Sequence, residues 1–318
     1  MRPRILILMV VLGVLLGGCT GSERGRGSEK VEVVATFFPL YDFARQIGGE
    51  RAHVTCLVPP GVSVHDWEPT PGDVARMVKA DVLVYNGAGL EPWVTRILPE
   101  FRGKRIVEAT RGLELLQFDL QGNHQHEAAD HQHGPYDPHA WLDPVYAQHY
   151  AAEIAGGLAE ADPAGAAYYR KRLAAYTSDL QALDIAYREA AAGFEHREIV
   201  TAHAAFGYLA ARYGLRQIPV AGLSPQAEPS PARLKELVQL VEENGIRYVF
   251  FESAANPRLA ETLAREAGVN SLVLSPVAGL SPEEKAGAKD YITVMKENLT
   301  ALQSALEEGV PPAAQHSE

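Results

Sequence analysis

Three histidines in separate parts of the chain have surroundings typical of metal ligands. His65 lies in GVSVHDWEPTP, His139 in DPHAWLDP and His203 in TAHAAFGYLA. Each follows a predicted strand or precedes a predicted helix, where loops leave the carboxyl edge of a parallel sheet. Neutral imidazoles that converge from such edges favour a transition metal, and zinc above all. Taken singly, each is better explained as a hydrogen-bonded interior histidine, so the hypothesis depends on their shared placement.

A second group of histidines lies close to His139. The stretch from Gly122 to Pro144 contains five of the chain's 11 histidines. His139 lies between Pro138 and a predicted helix entry, so its backbone is stiff enough to preorganise a ligand. The others lie among Gly, Asn, Gln and Glu without apolar periodicity, which predicts a mobile loop that binds metal weakly. A solvated loop without function is the alternative for these four residues, His124, His126, His131 and His133.

The elements that must position these histidines alternate along the chain. Short β-branched runs are separated by helical segments, many of which start at a capping residue followed by proline. The first predicted strands are VEVVATFF, AHVTCLV, DVLVYNG and KRIVEA, and the later ones are REIVTA, RQIPVAG, RYVFFES and SLVLSP. Strands separated by helices predict parallel sheets covered on both faces, and hence two α/β lobes.

A long helix is predicted between the two sets of strands. From Pro163 the chain runs to Gly193 without a further proline, and about thirty helical residues span about 45 Å. We expect a rigid strut that limits the swing of the lobes. The predicted fold class is α/β, with two lobes of parallel four-stranded β/α units bridged by one long helix. The predicted boundaries are 31–160 for the first lobe with a His-rich loop at 122–136, 162–193 for the helix, 196–308 for the second lobe and 309–318 for a tail.

The N-terminus has the pattern of an export signal. Residues 1–19 combine Arg2 and Arg4 with an apolar run too short for a confident membrane span, and they end in L-G-G-C. This ending resembles a bacterial lipobox. We therefore expect lipid on Cys19 and an extracytoplasmic protein held at the membrane through a flexible tether at 20–30. An ordinary cleaved signal is the alternative.

Composition and charge exclude one class of partner. A net charge of -11, without a basic cluster beyond the signal, argues against nucleic acid, because phosphate binding needs clustered Lys and Arg. Roughly 290 residues follow the tether, enough for two domains. The chain has 2 cysteines, so with Cys19 lipidated no intramolecular disulfide is expected. The other, Cys56, lies in an apolar run and is predicted to be a buried hydrophobe.

Several segments resemble, in order along the chain, the solute-binding lipoproteins (cluster A-I) of zinc and manganese ABC importers. They are LVPPGVSVHDWEPTP, DPHAWLDP, TAHAAFGYLA, QAEPSPARL, NPRLAETLAREAGV and KDYITVMKENL, and the resemblance extends from about Val31 to Leu302. It implies two α/β lobes bridged by a long helix with one metal buried between them. It also implies an ABC transporter permease and its ATPase as partners. His65, His139 and His203 match the family's three histidine ligands, and we expect a monomer.

The resemblance also bears on the identity of the ion and of the fourth ligand. Manganese relatives often have a carboxylate at the position of His203 and tend to lack a His-rich loop, so Zn²⁺ is expected and manganese is the alternative. Many family members place an acidic ligand at the end of the last strand, where this chain has Ser275, a poor zinc ligand. The fourth position is open between Ser275, water, Glu252, Glu228 and a histidine of the loop.

Neighbouring residues have candidate supporting roles. Asp66, Asp137 and Asp143 are candidates for orienting an imidazole through its second nitrogen, although Asp143 is predicted chiefly as a helix N-cap. Trp67 and Trp141 are predicted to pack rather than coordinate. A zinc hydrolase is an alternative function, but the sequence contains no HExxH motif, and no enzyme is expected. A zinc-binding adhesin or metal buffer that meets no transporter is a further alternative.

Overall fold

Two parallel sheets covered by helices form the body of the protein. The computed structural model describes residues 30–101, 103–117, 135–221, 231–252 and 258–307. The predicted α/β fold, with two sets of four parallel strands and a long helix, is confirmed. The boundaries of the predicted domains stay predictions.

The first sheet lies in the N-terminal part of the chain. Its strands are β1 (Val31–Ala35), β2 (Ala52–Cys56), β3 (Val82–Tyr85) and β4 (Arg105–Glu108). Their spatial order is β2-β1-β3-β4, and all neighbours are parallel. The accompanying helices are α1 (Phe38–Gly48), α2 (Pro71–Lys79), α3 (Val94–Ile97) and α4 (Pro144–Ala161). The central strands are apolar runs because helices cover both faces of the sheet.

The long helix, α5 (Ala166–Gly193), has 28 residues and spans about 42 Å. It begins later than predicted, because residues Pro163–Gly165 form a 3₁₀ turn. The Asp162 side chain accepts a hydrogen bond from the Gly165 N–H, so Asp162 caps this turn rather than the α-helix. Short 3₁₀ turns are common at helix ends.

The second sheet repeats the arrangement of the first. Its strands are β5 (Glu198–Thr201), β6 (Arg216–Pro219), β7 (Tyr248–Phe251) and β8 (Asn270–Val273). Their order is β6-β5-β7-β8, again parallel. The accompanying helices are α6 (Gly207–Tyr213), α7 (Pro231–Glu243), α8 (Arg258–Ala267), α9 (Pro282–Ala286) and α10 (Tyr291–Leu306). In both sheets the two central strands are followed by edge strands on opposite sides, as β1 is by β2 and β3 is by β4 in the first sheet. Such a reversal of strand order leaves a crevice at the carboxyl ends of the central strands.

Hydrogen bonds join the two lobes in addition to α5. The Trp141 indole N–H donates to the Pro276 carbonyl at 2.8 Å, and the Tyr291 hydroxyl donates to the Trp141 carbonyl at 2.6 Å. The Gly61 N–H donates to the Leu280 carbonyl at 2.9 Å. The largest apolar core cluster also contains residues of both lobes and of α5. The crevice between the sheets is therefore bounded by packed, hydrogen-bonded walls.

Two remaining predictions concern membrane contact and cysteine. Within the described ranges, no helix has the length and apolar character needed to cross a membrane. Cys56 is half-buried rather than fully buried, and its thiol donates to the Val58 carbonyl. Burial raises the pKa of Cys56 to about 12, which fits an unreactive thiol.

Candidate metal centre

Three imidazole rings meet in the crevice between the lobes. Ligand nitrogens of His65, His139 and His203 all lie within 4.8 Å of one another. The ring centroid of His65 lies 5.2 Å from that of His139 and 5.8 Å from that of His203, and the centroids of His139 and His203 are 5.3 Å apart. No other set of His, Cys, Asp and Glu side chains in the described part of the chain forms such a cluster. The structure thus brings together the three histidines that the sequence singles out.

Each histidine reaches the cluster from a different connection. His65 lies in the irregular connection between β2 and α2 and is half-buried. His139 immediately precedes a 3₁₀ turn, Ala140–Leu142, that leads into α4. His203 follows the end of β5 by two residues. His139 and His203 are 0% and 1% exposed, so these two rings are shielded from solvent.

Asp137 holds His139 in one orientation. Its Oδ1 atom lies 2.7 Å from His139 Nδ1 and also accepts the His139 backbone N–H at 2.9 Å. Burial raises the pKa of the Asp137 carboxyl to about 7, and the hydrogen bond from the His139 backbone acts in the opposite direction. An Nδ1–H that donates to the carboxylate leaves Nε2 as the lone-pair nitrogen. His139 therefore presents Nε2 to the cluster.

Glu252 has the same relation to His203. Its Oε1 atom is in short contact with His203 Nδ1, and both side chains are buried. The His203 carbonyl accepts hydrogen bonds from Thr201 Oγ1, Gln217 Nε2 and the Ala205 N–H at 2.9, 2.9 and 3.0 Å. In the described structure His203 Nε2 is buried without a hydrogen-bond partner. Such an atom needs an explanation, and a bound ion supplies one.

The distance between two of the ligand nitrogens suits a tetrahedral ion. His65 Nε2 and His139 Nε2 are 3.2 Å apart. Two nitrogens bound at 2.0–2.1 Å to a tetrahedral Zn²⁺ would be separated by about 3.3–3.4 Å. The imidazoles are neutral donors, and Asp137 and Glu252, when ionised, carry two negative charges that balance a divalent cation. The donor type and this nitrogen–nitrogen distance fit zinc.

The backbone before His139 is held by side chains from both lobes. Asn86, at the end of β3, donates from Nδ2 to the Pro138 carbonyl at 3.0 Å. Tyr208, in α6 of the second lobe, donates its hydroxyl to the Asp137 carbonyl at 2.7 Å. Neither Asn86 nor Tyr208 is singled out by the sequence analysis, because a lone Asn or Tyr forms no recognisable motif.

The structure places two of the fourth-ligand candidates. Glu252 contacts the outer nitrogen of His203 and does not belong to the cluster of mutually close ligand atoms. The Ser275 hydroxyl accepts the Val277 N–H at 3.1 Å, and the Ser275 N–H donates to Asn298 Oδ1 at 2.8 Å. Ser275 is therefore held by buried hydrogen bonds in the segment that follows β8. The fourth position stays open.

The remaining neighbours behave in different ways. Asp143 caps α4, accepting the Val145 N–H at 2.9 Å, and its other carboxylate oxygen binds the Arg212 guanidinium. Asp66 is exposed. Trp141 is fully buried against His139, with ring centroids 5.1 Å apart, and Trp67 packs against a neighbouring tryptophan. Of the three aspartates considered, Asp137 is thus the one that contacts an imidazole of the cluster through its side chain.

Several predicted residues lie outside the described ranges. The lipidation site, one candidate ligand and the accessory histidines belong to this group. They are Cys19, Glu228, His124, His126, His131 and His133. Their predicted roles stay predictions.

Comparison with protein families identifies zinc-uptake proteins as similar to this chain. The model of the family ZnuA, described as zinc-uptake complex component A, periplasmic, matches residues 33–305. The high-affinity zinc uptake system protein ZnuA of Bacillus subtilis (strain 168) is 39% identical over 311 residues, which cover 94% of this chain and 97% of that protein.

Two streptococcal proteins are also similar. The zinc-binding lipoprotein AdcA of Streptococcus pneumoniae is 38% identical over 98% of this chain, which spans only 62% of AdcA. The crystal structure of the Zn(II)-bound ZnuA-like domain of AdcA matches with a TM-score of 0.76, covering 88% of this chain and 100% of that domain. The laminin-binding protein Lmb of Streptococcus agalactiae, described as a bifunctional adhesin and metal transporter, is 32% identical with a TM-score of 0.77, covering 87% and 100%.

Proposed function

This chain belongs to the ZnuA family of periplasmic zinc-uptake components, and we propose that it binds one Zn²⁺ ion between its lobes and delivers it to the permease of an ABC importer. The ion is cargo, so the protein's task is selective capture and release rather than reaction. Family membership supports the role of a binding component that works with a permease and its ATPase, rather than that of an enzyme.

The observation that carries the proposal is the histidine cluster with its carboxylate supports. We propose His65, His139 and His203 as the protein ligands. Support comes from their mutual distances, from the buried and unpartnered Nε2 of His203, and from the orientation of His139 and His203 by carboxylates. Carboxylate–histidine pairs of this kind orient metal-binding imidazoles and raise their basicity.

We further propose that Glu252 and Asp137 act as orienting groups. Each approaches the nitrogen of its histidine that faces away from the cluster. A carboxylate used in this way keeps the inner ligand set nitrogen-rich. Nitrogen ligands favour zinc, whereas manganese prefers carboxylate and water oxygens. We therefore expect zinc to bind far more tightly than manganese.

Calorimetric titration of the intact protein tests the ligand assignment. Wild-type protein should bind one Zn²⁺ per chain tightly, with weaker additional binding at most. His203→Ala removes the nitrogen that the second lobe supplies, so its zinc affinity should fall by more than the 10–100-fold typical of outer-shell changes. His53→Ala is the matched control, since His53 is exposed on β2 and pairs with Glu32. Unchanged zinc binding by His203→Ala would refute the assignment.

A second function is favoured by the similarity to Lmb. We propose that the zinc-loaded protein also binds an extracellular-matrix glycoprotein of the laminin type, in addition to its transport role. Binding of the purified protein to immobilised laminin, with serum albumin as the reference surface, tests this role. Absence of specific binding would remove the adhesin function and leave zinc delivery unaffected.

We propose that the protein is a monomer and is anchored at the outer face of the membrane through lipid on Cys19. The L-G-G-C pattern and the lipoprotein description of AdcA support the anchor, and the monomeric state stays a prediction. Cys19→Ala should release the protein from the membrane or leave its precursor uncleaved. Mass spectrometry that finds an unmodified mature terminus at another residue would contradict the anchor.

A further inference from the structure

Tyr208 links two segments of the first lobe from its position in the second lobe. Its hydroxyl accepts the Leu116 N–H at 3.0 Å and donates to the Asp137 carbonyl at 2.7 Å. Tyr208 is 3% exposed, and its bond to the Asp137 carbonyl is buried. One hydroxyl group therefore joins α6 to both Leu116 and Asp137.

The two segments also pair with each other. The Asp137 N–H donates to the Leu116 carbonyl at 2.9 Å, and Gln117 and Tyr136 form an isolated antiparallel bridge. Tyr208, Leu116 and Asp137 thus form a closed hydrogen-bond network. Leu116 and Asp137 each contribute both their backbone N–H and their carbonyl group to it. Displacing α6 would disturb Leu116 and Asp137 together.

Asp137 connects this network to the metal centre. The Asp137 carbonyl accepts the hydrogen bond from Tyr208, and the Oδ1 atom of the same residue contacts both the imidazole Nδ1 and the backbone N–H of His139. The approach of α6 is close, because a Cβ atom added at Gly207 would lie 2.8 Å from Asp137 Oδ2. Any shift of α6 relative to the first lobe therefore changes the surroundings of both ends of Asp137.

We propose that Tyr208 is a positioning residue that makes the orientation of His139 depend on the placement of the second lobe. The inference rests on the proposed function, in which His139 is a zinc ligand. When the lobes are in contact, Tyr208 fixes Asp137, and Asp137 fixes His139. When α6 moves away, the Asp137 carbonyl loses its donor, His139 gains freedom and the zinc affinity falls. Release of the ion is then coupled to lobe movement through the first-lobe ligand as well as through His203.

Tyr208→Phe tests the coupling because it removes only the hydroxyl. Its zinc affinity should fall about threefold to tenfold, the range of one neutral hydrogen bond, and zinc should dissociate faster into excess chelator. Tyr146→Phe is the matched control. The Tyr146 hydroxyl donates to the Glu114 carbonyl of the same region at 2.9 Å, and its ring packs 5.8 Å from that of Tyr208. The control should keep wild-type zinc affinity.

The same substitution in the His139→Ala background separates positioning from general structural support. If Tyr208 acts through His139, Tyr208→Phe should leave the residual zinc affinity of His139→Ala unchanged, because coupled residues are non-additive. If the two losses multiply, Tyr208 only supports the fold and the proposal is overturned. The Co²⁺ absorption spectrum is a second readout, and it should change in Tyr208→Phe but not in Tyr146→Phe.

Failure of this inference differs from failure of the proposed function. Wild-type protein that binds one zinc tightly and loses it in His139→Ala upholds the ligand assignment, whatever Tyr208→Phe does. Equal zinc affinities of wild type and Tyr208→Phe, both folded by circular dichroism, would overturn the positioning role alone. Unchanged zinc binding by His139→Ala would overturn both.

Discussion

His203 and His139 are held in place by different parts of the molecule. The contacts of His203 come from its own lobe, since Thr201 lies in β5, Gln217 in β6 and Glu252 directly after β7. The backbone before His139 is held by Asn86 of the first lobe and by a side chain of the second lobe. These contacts of His203 thus all come from the second lobe, whereas the backbone before His139 is held by residues of both lobes.

This difference gives the two histidines different properties: His203 is preorganised within its own lobe, whereas the orientation of His139 is coupled to the contact between the lobes. A ligand supported by its own sheet keeps its geometry when the lobes move, which favours a fast first contact with the ion. A ligand supported across the crevice reaches its final orientation only when the lobes are in contact. In the proposed mechanism, an ion bound by both kinds of ligand is held tightly while the lobes are in contact, and its affinity falls when they separate.

Among changes to residues that support the ligands, the largest effect is expected from Glu252→Ala, which removes the carboxylate in contact with His203 Nδ1. Loss of an outer-shell carboxylate typically lowers metal affinity by roughly 10–100-fold, and we expect a loss in this range. Glu252→Gln keeps an acceptor oxygen but removes the charge, so its affinity should be intermediate. Competition with a fluorescent zinc chelator measures both.

Glu198→Ala is the control for the Glu252 variants, since it removes a carboxylate of the same lobe that pairs with Arg216. Its zinc affinity should equal that of the wild type. A zinc affinity of Glu252→Ala equal to that of the control would show that His203 needs no carboxylate to orient it.

A smaller loss is expected from Gly207→Ala, which probes the contact across the crevice. The new Cβ would lie 2.8 Å from Asp137 Oδ2, so the carboxylate that orients His139 must shift. We expect about a tenfold loss of zinc affinity, at the low end for an outer-shell change. Gly156→Ala in α4 is the matched control, because nothing lies within 4 Å of its added Cβ.

Gly156→Ala should keep wild-type zinc affinity and stabilise the fold by roughly 0.5–1 kcal/mol, as alanine replaces a helical glycine. If Gly207→Ala also kept wild-type affinity, the close approach of α6 to Asp137 would have no role in binding.

Glu91, which contacts Asn86 in the first lobe, is expected to make the stability of the fold depend on pH. The buried Glu91 carboxyl accepts hydrogen bonds from the Thr36 hydroxyl and from the Asn86 and Gly87 N–H groups, and Asn86 in turn holds Pro138. Burial raises the pKa of Glu91 from 4.5 to about 7, against the opposite effect of these bonds. The folded state therefore keeps a proton that the unfolded state loses, so this contribution to stability falls as pH rises through that window.

Glu91→Gln does not titrate and provides the comparison. The stability advantage of the metal-free wild type over Glu91→Gln should shrink by up to roughly 3 kcal/mol between pH 4.5 and pH 7. Urea unfolding of both proteins at several pH values measures the difference. A difference that stays constant or grows with pH would show that the pKa of Glu91 is not raised.

The smallest effect on tight zinc binding is expected from deletion of Asn123 to His133. Leu116 and Asp137 on either side of this segment are hydrogen-bonded to each other, so a shortened connection can still close. The tight site should stay nearly intact while weaker zinc equivalents disappear from the calorimetric titration. Loss of the tight site would instead identify a loop histidine as the fourth ligand.

The sequence predicts the strands and the placement of the histidines well, because both depend on local patterns. Short β-branched runs between capped helices specify parallel sheets, and the carboxyl ends of those strands are where His203 and Glu252 lie. Asp143 is likewise predictable as an N-cap from the proline that follows it.

The supporting contacts could not be predicted, because they join distant residues. The Glu252–His203 contact spans 49 positions and the Asn86–Pro138 bond spans 52. Tyr208 and Asp137 are 71 positions apart. Sequence reasoning places Glu252 at the correct edge but cannot decide between ligand and orienting group, since that depends on which imidazole nitrogen the carboxylate faces.

Anomalous diffraction from crystals of the zinc-loaded protein, recorded on both sides of the zinc absorption edge, tests the ligand assignment most directly. One strong zinc peak per chain is expected in the crevice, about 2.0–2.1 Å from nitrogens of His65, His139 and His203. Asp137 and Glu252 should remain on the outer nitrogens of their histidines. A principal zinc peak elsewhere, or one bound by Glu252 in place of one of these histidines, would contradict it.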